Sequence, residues 1–303
     1  MGIRLLQKFL KEMGADTKEQ HLRGLYGKKL AIDVGIYLYR FKAAGLLIEN
    51  MYLMCSLFKY YNIHPVFVFD GWALEIKRKT LEKRKNLRTD AKIKMDMLMS
   101  KNRFQDKKKI NDLKKKTICV NKSDYDKVKE FLDAYGMTYI TAKREADEVC
   151  AALCIKNKTW ACLTEDTDIM AYGCQRVLRY FSLIKHNVIL YDMDNILSNL
   201  GLSCGDFKEL CVCSGNDYIE TDRNIFYYYD LFKVYNGNSF MDWLLDNKYI
   251  SIQEYYERKD IVNLYLMKSY NPFEDIPYIV IKNKKVKKQC LIKILKSTRF
   301  IFP

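Results

Sequence analysis

PVFVFD, residues 65–70, opens on a proline, runs through four β-branched or aromatic apolar residues and stops on an acid. Such a run is too short for an ordinary helix and has the residue types of a buried strand. Working outward, comparable runs stand at KKLAID (28–33), MTYIT (137–141) and TWACLTED (159–166). Longer stretches of helical period lie at 3–13, 49–61, 124–135, 145–156 and 205–214. Strand and helix in alternation predict an α/β fold, with a mainly parallel central sheet flanked by helices. VLRYFSL and NVILYD flank Lys185 and His186, which predicts a hairpin at the sheet edge. Beyond residue 220 the chain turns Tyr-rich and helical, through IFYYYDLFKVY, FMDWLLDN and IQEYYERKDIVNLYLMKSY, and then basic at KNKKVKKQCLIKILK.

The 303 residues carry a formal charge of +15, which calls for a polyanionic partner. Residues 77–116 hold seventeen Lys and Arg against five Asp and Glu, most of the surplus, with no Gly or Pro after Gly71. One or two exposed basic helices are expected there. No stretch approaches the 18 or so apolar residues of a membrane span, and Leu6 stands where a myristoylation signal starting at Gly2 requires Ser or Thr, so no membrane partner is expected. The ten cysteines form no CxxC pair and sit among apolar residues, as buried free thiols of an intracellular, reducing compartment. His21, His64 and His186 are too few and too scattered for a histidine-based site, so any catalytic metal must sit on oxygen.

Three predicted strands end on acids, at Asp33, Asp70 and Asp166, with Asp168 two residues further on. Ligands of parallel α/β sheets gather at the carboxyl ends of strands. Aspartates delivered there together repel one another unless a cation intervenes, and Mg²⁺ or Mn²⁺ suits an all-oxygen set. Glu145 and Asp147 open the segment EADEVCAALC, and Asp217 stands near the end of DFKELCVCSGNDY.

Two blocks, IHPVFVFDGWALEIK (63–77) and GMTYITAKREADEVCAAL (136–153) followed by LTEDTDIMAYG (163–173), together with MGIRLLQKFL, LAIDVGIYLYRF and SGNDY, resemble the flap endonuclease family of structure-specific 5′ nucleases, which includes the XPG-type repair nucleases. The resemblance covers residues 1 to about 220 and implies a PIN-like 5′ nuclease core there, with a basic helical arch at 71–118 and a helical region at 221–303. By that likeness Asp33, Asp70, Glu145 and Asp147 surround one metal, Asp166, Asp168 and Asp217 complete a second shell, and two Mg²⁺ or Mn²⁺ ions are the expected cofactors. Lys77 and Arg84, two helical turns apart, would reach the scissile phosphate, with Lys79 and Lys83 as rivals. Tyr39 matches an aromatic that stacks on a base beside the cut, Tyr37 being the alternative, and Gly2 and Arg88 join the expected DNA contacts.

The chain also departs from the family. Asp33 and Asp70 are only thirty-seven residues apart, shorter than in the eukaryotic enzymes, and Lys143 replaces a common proline. No glycine occurs between Asp217 and Gly237, which argues against the K⁺ site and duplex grip of a glycine hairpin. No sliding-clamp peptide is present, and KNKKVKK at 282–288 reads equally as a nuclear signal or a DNA contact. The expected activity is cleavage of branched, gapped or flapped DNA in replication, repair or recombination. A 5′-to-3′ exonuclease on DNA or RNA and an inactive nucleic-acid-binding scaffold are the alternatives. The Lys, Asn, Ile and Tyr bias suits an AT-rich genome such as that of a large DNA virus, with a nuclear or cytoplasmic replication site.

Overall fold

The computed structural model describes residues 2–72, 74–100, 107–237, 239–268, 271–275, 279–298 and 300. Seven strands, β1 (Thr17–His21), β2 (Lys29–Asp33), β3 (His64–Phe69), β4 (Thr138–Thr141), β5 (Ala161–Leu163), β6 (Arg176–Arg179) and β7 (Asn187–Asp192), form one sheet in the order β1-β7-β6-β5-β2-β3-β4. From β6 to β4 all neighbours are parallel. β7 returns antiparallel beside β6, as the hairpin reading expects. It is not the edge, however: β1 pairs antiparallel with β7, Thr17 opposite Tyr191 and His21 opposite Asn187. TKEQH carries no apolar alternation, so its pairing rests on backbone bonds, and its exposed charged side chains suit an edge strand.

Successive strand residues point to opposite faces, and both faces are covered. Ala31, Val66, Val68, Cys162 and Val177 meet the helices Leu6–Glu12, Ala146–Ile155 and Cys204–Cys213 on one side. Leu30, Ile32, Phe67, Phe69, Leu163 and Leu178 meet Val34–Ala43, Leu47–Tyr60 and Lys122–Tyr135 on the other. The first core also takes in Ile225, Tyr228, Phe240, Leu244, Ile261 and Tyr265, so the C-terminal helices pack on the helices that cover this face of the sheet. Seven of the ten cysteines are buried and none is disulfide-bonded; Cys119, Cys204 and Cys290 are exposed, against the expectation of burial throughout.

The basic stretch folds as two helices, Arg78–Ser100 and Lys107–Thr117, packed against each other. The basic tail packs as well. Lys284 N–H donates to the Gly136 carbonyl and Lys287 N–H to that of Ala134, after which Lys288–Lys296 lays Leu291 and Leu295 into the second core. Among the described residues no helix is long and apolar enough to cross a membrane.

Docking of this tail is testable. Leu295 is 1% exposed, and Leu295→Ala is expected to cost about 2–5 kcal/mol in urea unfolding, the usual range for a buried leucine. A loss under about 1 kcal/mol would mean that the tail contributes no core packing.

Candidate active site

The strand order reverses between β5 and β2: β2, β3 and β4 build outward in one direction, β5 and β6 in the other. Such a switch point opens a crevice beyond the carboxyl ends of the strands, and the candidate acids collect there. A cleft of about 860 Å³ is lined by Asp33, Asp70, Glu145, Asp147, Asp166 and Asp217 below and by Arg84, Arg88, Lys94, Lys115 and Lys116 of the two basic helices opposite.

Each acid is held by its local backbone. Asp33 ends β2 and caps the helix Val34–Ala43, accepting from Gly35 N–H (3.1 Å) and the Thr164 hydroxyl (2.8 Å). Asp70 follows β3 and accepts from Ala146 N–H at 3.0 Å, the open first turn of the helix that Glu145 precedes. Gly71 N–H to the Arg144 carbonyl (2.7 Å) and Trp72 N–H to that of Lys143 (3.0 Å) prolong the β3–β4 pairing beyond the sheet and draw Asp70 alongside Glu145. A side chain at Gly71 would meet the Ala142 carbonyl at 2.0 Å, so only glycine permits this approach. Asp166, just past β5, accepts from Asp168 N–H at 3.1 Å.

Burial first and mutual repulsion second disfavour ionisation at four of these groups. The Asp33 carboxyl is pushed up to about 7 by burial, then by the Asp70 and Asp166 charges, against the Thr164 and Gly35 hydrogen bonds. Asp147 is raised by burial and by Asp166 and Asp33; Asp168 by burial, Asp166 and Asp217; Asp166 by burial and Asp217. Asp147 Oδ1 and both oxygens of Asp168 are buried with no hydrogen bond of standard geometry, although the Tyr265 hydroxyl is near enough to Asp168 to lower its pKa. Excess carboxylate, orphaned oxygens and an all-oxygen donor set fit hard divalent cations. As the side chains stand, no three His, Cys, Asp or Glu among the described residues converge tightly enough to hold one.

Two protein cations share the floor instead. Lys77 Nζ lies 2.5 Å from Glu145 Oε2, and Arg84 reaches Asp217 Oδ2 at 2.7 Å. Burial works against the Lys77 ammonium, but Glu145, Asp147 and Asp168 together raise its pKa and keep it charged. Tyr218, which sequence reading left out although SGNDY contains it, donates to Glu145 Oε2 at 3.0 Å, and Lys77 sits 4.9 Å over its ring. Gly2 lies against the acids with φ of +85°, where a side chain would meet Asp166 Oδ1 at 2.3 Å and Thr167 Oγ1 at 2.4 Å.

The remaining candidates divide. Tyr39 lines the cleft and is exposed, whereas Tyr37 is buried against Phe41 and Phe181. Arg88 lines the cleft and donates to Cys119 Sγ, but Lys83 is not in the lining and pairs with Glu220 at 2.7 Å on an exposed face. The Lys79 side chain lies outside the described residues. The structure adds Trp72, Tyr125, Lys94, Lys115 and Lys116 to the lining, none of which the motifs single out.

The electrostatics carry a pH signature. Asp33 titrates near 7 when folded and near 4 when unfolded, so the unfolded chain releases this proton first. Its contribution to stability is therefore full below about pH 4 and lost as pH rises toward 7. In chelator, Asp33→Asn is expected to gain stability relative to wild type across that window by thermal unfolding, and Mg²⁺ is expected to stabilise wild type more at pH 8 than at pH 5. A difference between the two proteins that does not change with pH would contradict this account.

Known proteins share this sequence and architecture. The XPG N-terminal domain matches residues 1–91 and the XPG I-region residues 136–217. Flap endonuclease 1 of Zea mays is 30% identical over 74% of this chain and 64% of its own length. That of Trypanosoma brucei brucei is 28% identical over 97% of this chain and 80% of its own. The chain spans less than two thirds of the length of the maize, Physcomitrium patens and Xenopus tropicalis relatives. Among solved structures, the catalytic core of Rad2 in complex with DNA substrate superposes with a TM-score of 0.70 at 22% identity, over 98% of this chain and 95% of that one. Flap endonuclease-1 from Methanococcus jannaschii gives 0.68 at 19%, over 99% and 94%. The structural likenesses establish the fold, and the two sequence matches carry the assignment: this chain belongs to the flap endonuclease/XPG family.

Proposed function

We propose that the chain is a structure-specific 5′ nuclease that hydrolyses phosphodiester bonds in branched, gapped or flapped DNA. One observation carries the reading: a single cleft has a carboxylate floor built from five separate chain segments and an opposite wall built from the basic helices. Such a cleft can hold a phosphate backbone against a site that tolerates cations and expels unscreened anions.

Asp33, Asp70, Glu145 and Asp147 would hold one divalent cation, and Asp166, Asp168 and Asp217 a second. Bound Mg²⁺ supplies an acidified water and positive charge for the leaving oxygen. The protein's own part is orientation. Thr164 and Gly35 aim Asp33, Ala146 N–H aims Asp70, and Asp168 N–H aims Asp166, so little reorganisation is needed when charge arrives. Lys77 and Arg84 stand at the base of the basic wall on Glu145 and Asp217, where a phosphodiester entering the cleft would compete for both. Exposed Tyr39 offers a ring to a base beside the cut.

The test is cleavage of 5′-flap, nicked, gapped and linear duplexes, and of matching RNA, in Mg²⁺. Wild type is expected to cut the flap, Asp166→Asn to lose cleavage while still binding, and Lys77→Ala to lose roughly 10²- to 10³-fold in rate. Products of mononucleotides alone would favour a 5′-to-3′ exonuclease, and an unchanged Asp166→Asn would favour a binding scaffold. No cleavage of any substrate at any Mg²⁺ concentration would reject the proposal.

A further inference from the structure

Trp72 is the least buried tryptophan of the chain, 85% exposed, and it borders the cleft beside Asp70. The other two indoles are engaged within the protein. Trp160 lies between Lys28 and Arg176, each 5.4 Å from its ring, and Trp243 stacks on Tyr249 at 5.4 Å and 23°. An indole left in water forgoes much of what it gains by burial, so its placement at a cleft mouth needs a reason.

Its backbone is fixed. The bond from Trp72 N–H to the Lys143 carbonyl and the close approach of Gly71 to the Ala142 carbonyl tie this residue to the same rigid extension that carries Asp70. The backbone that carries the ring is therefore tied beside Asp70 and is not a free loop. Of the exposed large apolar side chains, Tyr39 and Trp72 are the aromatic ones in the described cleft lining. Tyr39 stands on the helix that follows β2 and Trp72 on the segment that follows the neighbouring strand β3, and the wall opposite is cationic. Aromatic faces beside a phosphate-binding wall are the combination that holds a strand with unpaired bases, since every base offers a π-face and a duplex offers none along its length.

We infer that Trp72 is a base-stacking residue for the single strand entering the cleft, and that it biases the protein toward substrates with an unpaired nucleotide next to the cut. This rests on the nuclease reading for the location of the cut but not for the stacking itself.

The three tryptophans make the stack observable by intrinsic fluorescence. In an Asp166→Asn background with Mg²⁺, a duplex bearing a single-stranded 5′ oligo-dT arm is titrated in, along with a blunt duplex and a series in which one abasic residue is walked along the arm. The armed duplex is expected to quench emission in the parent but not in Trp72→Leu, and Trp72→Leu is expected to weaken its Kd about 10- to 100-fold while leaving the blunt duplex unchanged. Trp72→Phe should keep most of the affinity. One abasic position should weaken the parent to the level of the leucine variant and weaken that variant no further. Equal quenching in both proteins, equal loss on blunt duplex, or additive effects of the abasic residue and Trp72→Leu would overturn the inference. Should wild type cut nothing while Trp72-dependent quenching persists, the nuclease reading fails and the stack stands. If wild type cleaves and Trp72→Leu binds as the parent does, only the stack falls.

Discussion

The constraint on which this molecule depends is the confinement of like charges at a point where a parallel sheet changes direction. β2 and β5 are neighbours, with Ile32 opposite Leu163, so the acids that follow them are brought close by the ladder itself. Nothing in a hydrophobic sheet requires acids at that spot, and their burial disfavours the ionised state of Asp33, Asp147, Asp166 and Asp168 together. The fold answers the repulsion with backbone N–H groups, a threonine hydroxyl, a lysine and an arginine, yet leaves Asp147 Oδ1 and the oxygens of Asp168 without a hydrogen bond of standard geometry. Strain of this kind is concentrated at sites that bind charge.

That constraint also explains why the long basic segment begins where it does. The 3-10 turn Glu75–Lys77 and the first turns of Arg78–Ser100 descend directly on the acids, with Thr80 bonded to the Asp217 carbonyl and Arg84 to its side chain. Cations from the helix base neutralise part of the floor, while those further along face the cleft at Arg88 and Lys94. One helix thus serves local electrostatics at one end and the solvent-filled cleft at the other.

Much of this was legible in the sequence, and the parts that were not have identifiable reasons. Of the five parallel strands, β2, β3 and β5 announce themselves as apolar runs because both their faces are buried, and the acids that follow these three are visible for the same reason. β1 was missed because TKEQH is polar on both faces, and the helix Val34–Ala43 because VGIYLYRF has the β-branched and aromatic content of a strand. Tyr37 and Tyr39 were not separable from composition; two residues place them about 200° apart on a helix, one in the core and one in the cleft. The histidines are scattered in sequence, yet the β1–β7 register brings the His21 and His186 rings to 6.4 Å, with the Tyr61 hydroxyl 3.0 Å from His186 Nδ1. The contributions of Lys94, Lys115 and Lys116 were hidden because a helix with cations on every side gives no phase.

The attachment of the basic helices to the floor has a mechanical side. Arg78–Ser100 is 23 residues long; its polar ties to the floor, through Thr80 and Arg84, lie within its first seven residues, and further along it packs against Lys107–Thr117. A straight helix of that length extends about 35 Å, so the segment anchored on Asp217 also reaches well beyond the acids. The contacts that complete the acidic floor therefore also fix where the cationic wall stands, at Arg88 and Lys94 further along the same helix.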